Sequence, residues 1–309
     1  MKCLVTGGSG FIGSNLALEL EKNGHEVTIA DNLLTGNKKN LNGFNGKFIE
    51  LDVSKQFDLN ENGLNERFDA IFHEAAITDP RYPNDKETYN KNVQGFYNII
   101  KFAQKNNAKL IYASTASLYG NGNVPMKENQ KKELLSSYAK SKLEMDKIAS
   151  QLFRKMHIVG LRYFNVFGPR EKYKGRAASM VYHLARQIKD EKNPRIFKFG
   201  EQKRDHIYVK DVIDATIKAL HAKKSCIVNV GTGIATTFND LVKALNKELG
   251  KNLEMEYVDM PYEPKTYQNN TQAHTSKAEQ LLGFKSKYSL KDGIKDYISW
   301  LNSVRWYDE

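Results

Sequence analysis

The sequence predicts an α/β fold: a doubly wound parallel sheet with a smaller, discontinuous C-terminal lobe. Three features predict it. Through the first half, short β-type runs alternate with helical ones. A glycine-rich turn joins the first run to the first helix, and beyond Gly168-Pro169 the alternation gives way to a polar loop and shorter elements. Alternating strands and helices are the linear form of a parallel sheet covered by helices on both faces.

The β-type runs lie at 2–6, 26–31, 47–51, 69–73, 109–114 and 157–163, with helices at 11–23, 86–106 and 136–155. Asn23-Gly24 stops the first helix and Asn106-Asn107 the one before the 109–114 run. Gly120 to Glu133, rich in Asn, Gly, Pro and Lys, is an exposed loop. A further helix runs from about Ala177 to Asp190, after which Arg204–Val209 and Val228–Gly231 have the composition of strands returning to the sheet. The chain therefore divides into a domain of residues 1–165, with returns near 204–231, and a smaller lobe of residues 166–203 and 232–309.

A chain of 309 residues, 40% apolar and 27% charged, is long enough for one large domain with elaborations or two lobes sharing a core. No run approaches the roughly 18 to 20 apolar residues of a membrane span. The N-terminus enters a strand directly rather than an export signal, so a cytoplasmic protein is expected. Cys3 and Cys226 stand apart from other cysteines and from histidine clusters, which predicts buried hydrophobes and neither disulfide nor metal site. The net charge of +11 comes from dispersed lysines such as Lys38-Lys39, Lys131-Lys132 and Lys223-Lys224, without a basic helix or aromatic platform. A solvated surface follows, with no nucleic-acid or membrane partner, and a phosphorylated substrate is compatible with it.

Within Thr6 to Gly13, Gly7, Gly10 and Gly13 allow a sharp turn and the close approach of a diphosphate. The helix opening at Phe11 and Ile12 offers free N–H groups to that anion. Asp31 ends the second run, beside Asn32, where a carboxylate binds the ribose hydroxyls of NAD and repels the 2′-phosphate of NADP. Lys38 could reach such a phosphate and reverse the preference. Asp52, after the third run, suits either an adenine amino group or a helix cap. His73-Glu74-Ala75-Ala76 sets a polar pair and two small residues where a cofactor ribose would pass, with His73 itself expected in the core.

Tyr138-Ala139-Lys140-Ser141-Lys142 carries the sharpest chemical signal. Residues four apart share a helix face, so the Lys142 ammonium is expected near the Tyr138 phenol, lowering its pKa toward neutrality. Such a phenolate can take a proton from a hydroxyl as a hydride leaves for nicotinamide. Ala113 to Gly120, at the end of the preceding run, supplies hydroxyls for the same substrate oxygen.

The glycine spacing, the hydroxyl run before Leu118-Tyr119-Gly120 and Tyr138-x-x-x-Lys142 resemble an extended short-chain dehydrogenase/reductase, over nearly the whole chain. The resemblance implies a Rossmann sheet, Thr115 as catalytic hydroxyl, and homo-oligomers. Dehydratases of that superfamily carry an Asp-Glu pair after the hydroxyl, where this chain has Ala116-Ser117, which disfavours elimination. Leu161 to Glu171, Lys174-Gly175, Ala178-Ser179, Lys203 to Val209 and Tyr267 to Ala273 resemble the ADP-glycero-manno-heptose 6-epimerases. That resemblance implies oxidation of C6 to a ketone and return of the hydride to its other face, with Tyr138 and Lys174 as acid/bases on the two sides. Lys174 needs a lowered pKa, from desolvation or from neighbouring cations such as Arg170 and Arg176. By the same resemblance Asn92 and Val166 lie along the cofactor, NADP is the usual cofactor, and Asn165, His183, Phe197, Arg204 and Tyr267 line the nucleotide-sugar site. Arg204 also suits diphosphate oxygens as a bidentate clamp. Ile77 to Arg81 is bulkier and more charged than the family's loop, and Arg176 stands where a small residue is usual, so both reshape the sugar pocket. A UDP-hexose 4-epimerase, and a non-enzymatic dinucleotide sensor, are the alternatives.

Overall fold

A computed structural model describes residues 1–57, 64, 66–79, 82–261, 263 and 267–307; Pro80 and Arg81 of the charged loop lie outside these. The first half consists of β1 (Lys2–Thr6), α1 (Phe11–Lys22), β2 (Glu26–Asp31), β3 (Lys47–Glu50), β4 (Ala70–His73), α2 (Asp85–Asn106), β5 (Lys109–Thr115), α3 (Ser137–Leu152) and β6 (Ile158–Tyr163). Then come β7 (Asn165–Phe167), α4 (Met180–Lys189), β8 (Arg195–Phe197), β9 (Lys203–Arg204), β10 (His206–Tyr208), α5 (Val209–Ala219) and β11 (Cys226–Val230). The chain closes with β12 (Thr236–Thr237), α6 (Phe238–Glu248), β13 (Glu256–Val258), α7 (Ser276–Leu282) and α8 (Leu290–Val304).

Seven strands form one parallel sheet in the order β11-β6-β5-β4-β1-β2-β3. Its central strands are buried on both faces, which is why they are near-continuous apolar runs such as Ile158–Leu161 and not alternating ones. Cys3 and Cys226 are both free and buried in these strands. Local signals set the helix ends: Asn84 caps α2 by accepting from Glu87 N–H, Asn107 ends it in the left-handed region, and Ser136 caps α3 by accepting from Ala139 N–H. From β1 the order runs outward through β2 and β3 on one side and through β4, β5 and β6 on the other. The reversal between β1 and β4 opens a crevice at the carboxyl ends of the strands, the usual ligand position in such sheets.

The two expected returns to the sheet part company. β11 joins it, parallel to β6. β10 instead pairs with β7 in a separate two-stranded sheet, because β11 already takes the free edge of β6. Among the described residues no helix is long and apolar enough to cross a membrane.

Candidate active site

A cleft of about 600 Å³ opens at the carboxyl ends of the strands, a size suited to a cofactor and small substrate. Its floor is the glycine turn. Gly7 has φ +70°, and a Cβ there would stand 2.6 Å from the Ala75 nitrogen; a Cβ on Gly13 would stand 2.2 Å from the Gly7 carbonyl oxygen. Only glycine fits either position. The first bond of α1 runs from Ser14 N–H to the Gly10 carbonyl (3.1 Å), so the amides of Phe11, Ile12 and Gly13 head the helix without an intrahelical acceptor. Asp31 lines the cleft and braces the turn, accepting from Ser9 N–H (2.9 Å) and Leu33 N–H (2.8 Å). Burial pushes its carboxyl up while the two amides hold it down.

Asn32, Asp52, Ala75, Ala76, Asn92 and Val166 share this cleft. Asp52 is also a turn cap, accepting from Ser54 N–H (3.0 Å) and Ser54 Oγ (2.6 Å). The Asn92 amide clamps the Ile77 backbone, accepting from its N–H (2.8 Å) and donating to its carbonyl (3.1 Å). Lys38 does not line the cleft: its ammonium lies 3.9 Å from Glu50 and 5.0 Å from the Phe48 ring centre, on edge strand β3. His73, buried, is bonded through Nδ1 to Thr6 Oγ1 (2.8 Å) and stacked on Phe96. Bare helix amides, glycines that admit no side chain and a carboxylate ending β2 fit a nicotinamide dinucleotide.

Tyr138, Lys142 and Thr115 come together on one wall. Ser136 starts α3 so that Tyr138 and Lys142 fall on its first turns, and Thr115 ends β5 beside them. Lys142 is 1% exposed and donates to the Ala113 carbonyl (2.7 Å), with its ammonium 5.9 Å from the Tyr138 ring centre. The expected lowering of the phenol is not what this arrangement produces. Burial pushes Tyr138 up to about 12 despite its hydrogen bond with Thr115, and burial pushes Lys142 down to about 8. The lysine head is held on a backbone carbonyl, and desolvation is the largest influence on both groups.

Lys174 lines the same cleft from a separate wall, a short 3-10 segment (Glu171–Ala177) after β7. Its ammonium sits 5.7 Å from the Phe11 ring centre. Burial lowers its pKa, opposed by Glu171 and then Asp79. The neighbours are therefore carboxylates and not the expected cations. Arg170 turns away to donate to the Asn40 carbonyl (3.0 Å), and Arg176 Nε donates to Asp79 Oδ2 (2.7 Å). That pair joins the two segments in which this chain departs from the family pattern, Ile77–Asp79 and Arg176, at the cleft mouth. The Lys174 segment is also tied to the glycine turn. Asn40 donates to the Ser9 carbonyl (3.0 Å), and the Asn15 amide donates to the carbonyls of both Phe11 and Pro169 (2.9 Å each).

Arg204 and Tyr267 line the far end with Asn165. The Arg204 guanidinium lies 5.1 Å from the Tyr267 ring centre and 5.7 Å from that of Phe238, and donates to the Asn269 carbonyl (2.8 Å). Thr271 Oγ1 donates to Asn165 Oδ1 (2.9 Å), so the 267–273 segment straps this end of the site. Phe197 stands behind the wall, edge-on to Tyr267, and His183 packs beside Tyr182; neither lines the cleft, and nor does Arg176. Sequence reasoning missed Phe238 in the lining, and the buried carboxyl of Glu171, which accepts from Gly168 N–H (3.0 Å) and Ser179 N–H (2.7 Å). The Glu171 signal was a charged residue inside an otherwise matched motif.

Residues 3–231 match the model of the NAD dependent epimerase/dehydratase family. The chain belongs to that family. It is 36% identical to an ADP-L-glycero-D-manno-heptose-6-epimerase of Brachyspira hyodysenteriae, over 98% of this chain and 99% of that one. It is also 36% identical to a Methanocaldococcus jannaschii protein provisionally named a UDP-glucose 4-epimerase, over 97% and 98%. Among solved structures, ADP-L-glycero-D-manno-heptose-6-epimerase of Helicobacter pylori superposes with a TM-score of 0.91 at 38% identity, covering 98% of this chain and 96% of that one.

Proposed function

We propose that this protein is a nucleotide-sugar epimerase that inverts C6 of an ADP-glycero-manno-heptose, with a tightly held NAD. The observation that carries the reading is that Tyr138 and Lys174 line one cleft from separate elements. Inversion of a centre through a ketone needs a proton-transferring group for each face. The bound nicotinamide would supply the hydride acceptor and donor, held by the glycine turn, Asp31 and Lys142. Tyr138, hydrogen-bonded to Thr115, exchanges the proton of the substrate hydroxyl on one side, and Lys174 does so on the other. Arg204 holds diphosphate oxygens, and the strap at Tyr267–Ala273 keeps the nucleotide end in register. In this reading the sheet-forming domain carries the cofactor and residues 166–203 and 232–309 carry the sugar nucleotide. NAD is favoured over NADP because Asp31 lines the cleft while Lys38 sits with Glu50.

A screen of ADP-heptose, GDP-heptose and UDP-hexoses, read by NMR for inverted stereochemistry, tests the substrate, and mass spectrometry of cofactor released on denaturation tests NAD. With ADP-heptose, Lys174→Met should slow inversion by orders of magnitude; an undiminished rate sinks the two-base account. A UDP-hexose 4-epimerase is the second reading, favoured by the equal identity to the Methanocaldococcus jannaschii protein. It predicts turnover of UDP-hexoses that is indifferent to Lys174.

A further inference from the structure

Glu74 follows β4 and lines the cleft, and the mechanism above gives it no part. Its Oε1 lies 3.0 Å from the Tyr163 hydroxyl oxygen, which lies 2.9 Å from Thr216 Oγ1, which lies 2.7 Å from the Val212 carbonyl oxygen. Each hydroxyl has one proton to give, and a carbonyl can only accept. The Thr216 proton therefore goes to Val212, one turn back along α5. Thr216 Oγ1 then accepts from Tyr163. With that proton spent, the one between Tyr163 and Glu74 must belong to the carboxyl. A carboxylate would instead take the Tyr163 proton, and the single Thr216 proton could then serve either Tyr163 or Val212. Either way one oxygen pair, Tyr163–Thr216 or Thr216–Val212, is left facing with no proton between them.

From this order of donors we infer that Glu74 rests as a neutral carboxylic acid donating to Tyr163, a positioning residue that keeps a negative charge away from Tyr138 and Lys142. Its role in turnover rests on the epimerase reading; its protonation does not. The titratable groups facing it are Tyr163 from β6 and Lys142 and Tyr138 from α3. Burial pushes the Glu74 carboxyl up to about 7, against the pull of Tyr163 and Lys142. Burial likewise holds the Tyr163 phenol well above its ordinary value, so it stays protonated. An ionised Glu74 raises the Tyr138 phenol further, so the neutral acid is the form in which Tyr138 gives up its proton most readily.

The test is carboxyl NMR on the full-length protein with 13C-labelled glutamate, the Glu74 signal being the one lost in Glu74→Gln. Glu74 should titrate near about 7 rather than at the ordinary value of about 4.3. Thr216→Val removes the acceptor for Tyr163, returns that proton to the carboxyl, and should lower the midpoint by about a unit or more. An ordinary midpoint in the wild type, or an unmoved one in a folded Thr216→Val, overturns the proposal. Should Thr216→Val not fold, Glu74→Gln decides through kinetics. A fixed neutral donor there should delete from the pH–rate profile the limb that follows the Glu74 midpoint, and a retained limb overturns the proposal. Absence of epimerisation with every nucleotide sugar would sink the functional reading alone, since the carboxyl midpoint is read without substrate.

Discussion

The two walls of the cleft carry their proton-transferring groups on different kinds of element. Tyr138 and Lys142 stand on the first turns of α3, packed against β5, with the lysine tied to a strand carbonyl. Lys174 stands on a short 3-10 segment with carboxylates on two sides. Desolvation governs both walls. On the first it drives the phenol up and the ammonium down, the latter against Glu74 and Asp146; on the second it lowers the Lys174 ammonium against Glu171 and Asp79. Burial thus sets the direction on both walls against nearby carboxylates, and the walls differ in what carries the group: a helix packed on the sheet in one, a loop segment in the other. Charges on loops are easier to alter without loss of the fold, so the second wall is where the chemistry can be tuned.

The largest effects should come from removing each group in turn. Tyr138→Phe and Lys174→Met should each cost about 10²- to 10⁴-fold in inversion, the usual range for a positioned acid/base. The two should differ in a second readout: each variant should still reduce its cofactor with one C6 epimer and not with the other, in opposite senses. Stopped-flow absorbance with the separate epimers checks this, and identical preferences would break the assignment of one face to each wall.

Next in size is a test of the rigid wall's framework. Arg162 bonds Asp146 through Nε (2.9 Å) and Nη2 (2.8 Å), and Tyr112 donates to the other Asp146 oxygen (2.9 Å), all buried between α3, β5 and β6. Asp146→Ala leaves the Arg162 charge buried and unpaired, which should destabilise the protein by about 3–5 kcal/mol in denaturant unfolding. A loss under 1 kcal/mol would mean that this wall is less dependent on its polar core than its packing implies.

The loop-built wall should respond more gently. Asp79 raises the Lys174 pKa against burial. Asp79→Asn removes that support, so the ammonium should lose its proton at lower pH. The Lys174 limb of the pH–rate profile should move downward with the fold intact by thermal melt, and an upward or absent shift contradicts the charge balance. Arg176→Ser gives the smallest effect. Its side chain is 59% exposed, and exposed pairs contribute about 0–1 kcal/mol. The change should alter substrate KM a few-fold at most, read from steady-state kinetics.

The floor of the cleft and the α3 wall were largely legible in the sequence, because their signals are local. A glycine spacing, a strand-ending carboxylate and a Tyr-x-x-x-Lys on one helix face each carry their geometry within a few residues. The β11 return was legible for the same reason, as an apolar run. What the sequence did not carry were encounters between distant segments. Asp79 and Arg176 meet across 97 positions, and Tyr163 meets Glu74 across 89. Lys38 and Arg170 were assigned by reach alone, and nearer partners, Glu50 and the Asn40 carbonyl, hold them elsewhere. The Tyr138 phenol was judged from its charged neighbour, whereas its protonation depends on how much water the fold removes, which no spacing reveals.

The ties from Asn15 and Asn40 across to Pro169 and Arg170 make the nucleotide-gripping turn and the lysine-bearing segment parts of one chassis. Grafting a different sugar lobe onto this turn, or this lobe onto another turn, would cut both struts at once. A working chimera has to carry Asn15, Asn40 and Arg170 together, whichever parent supplies the rest.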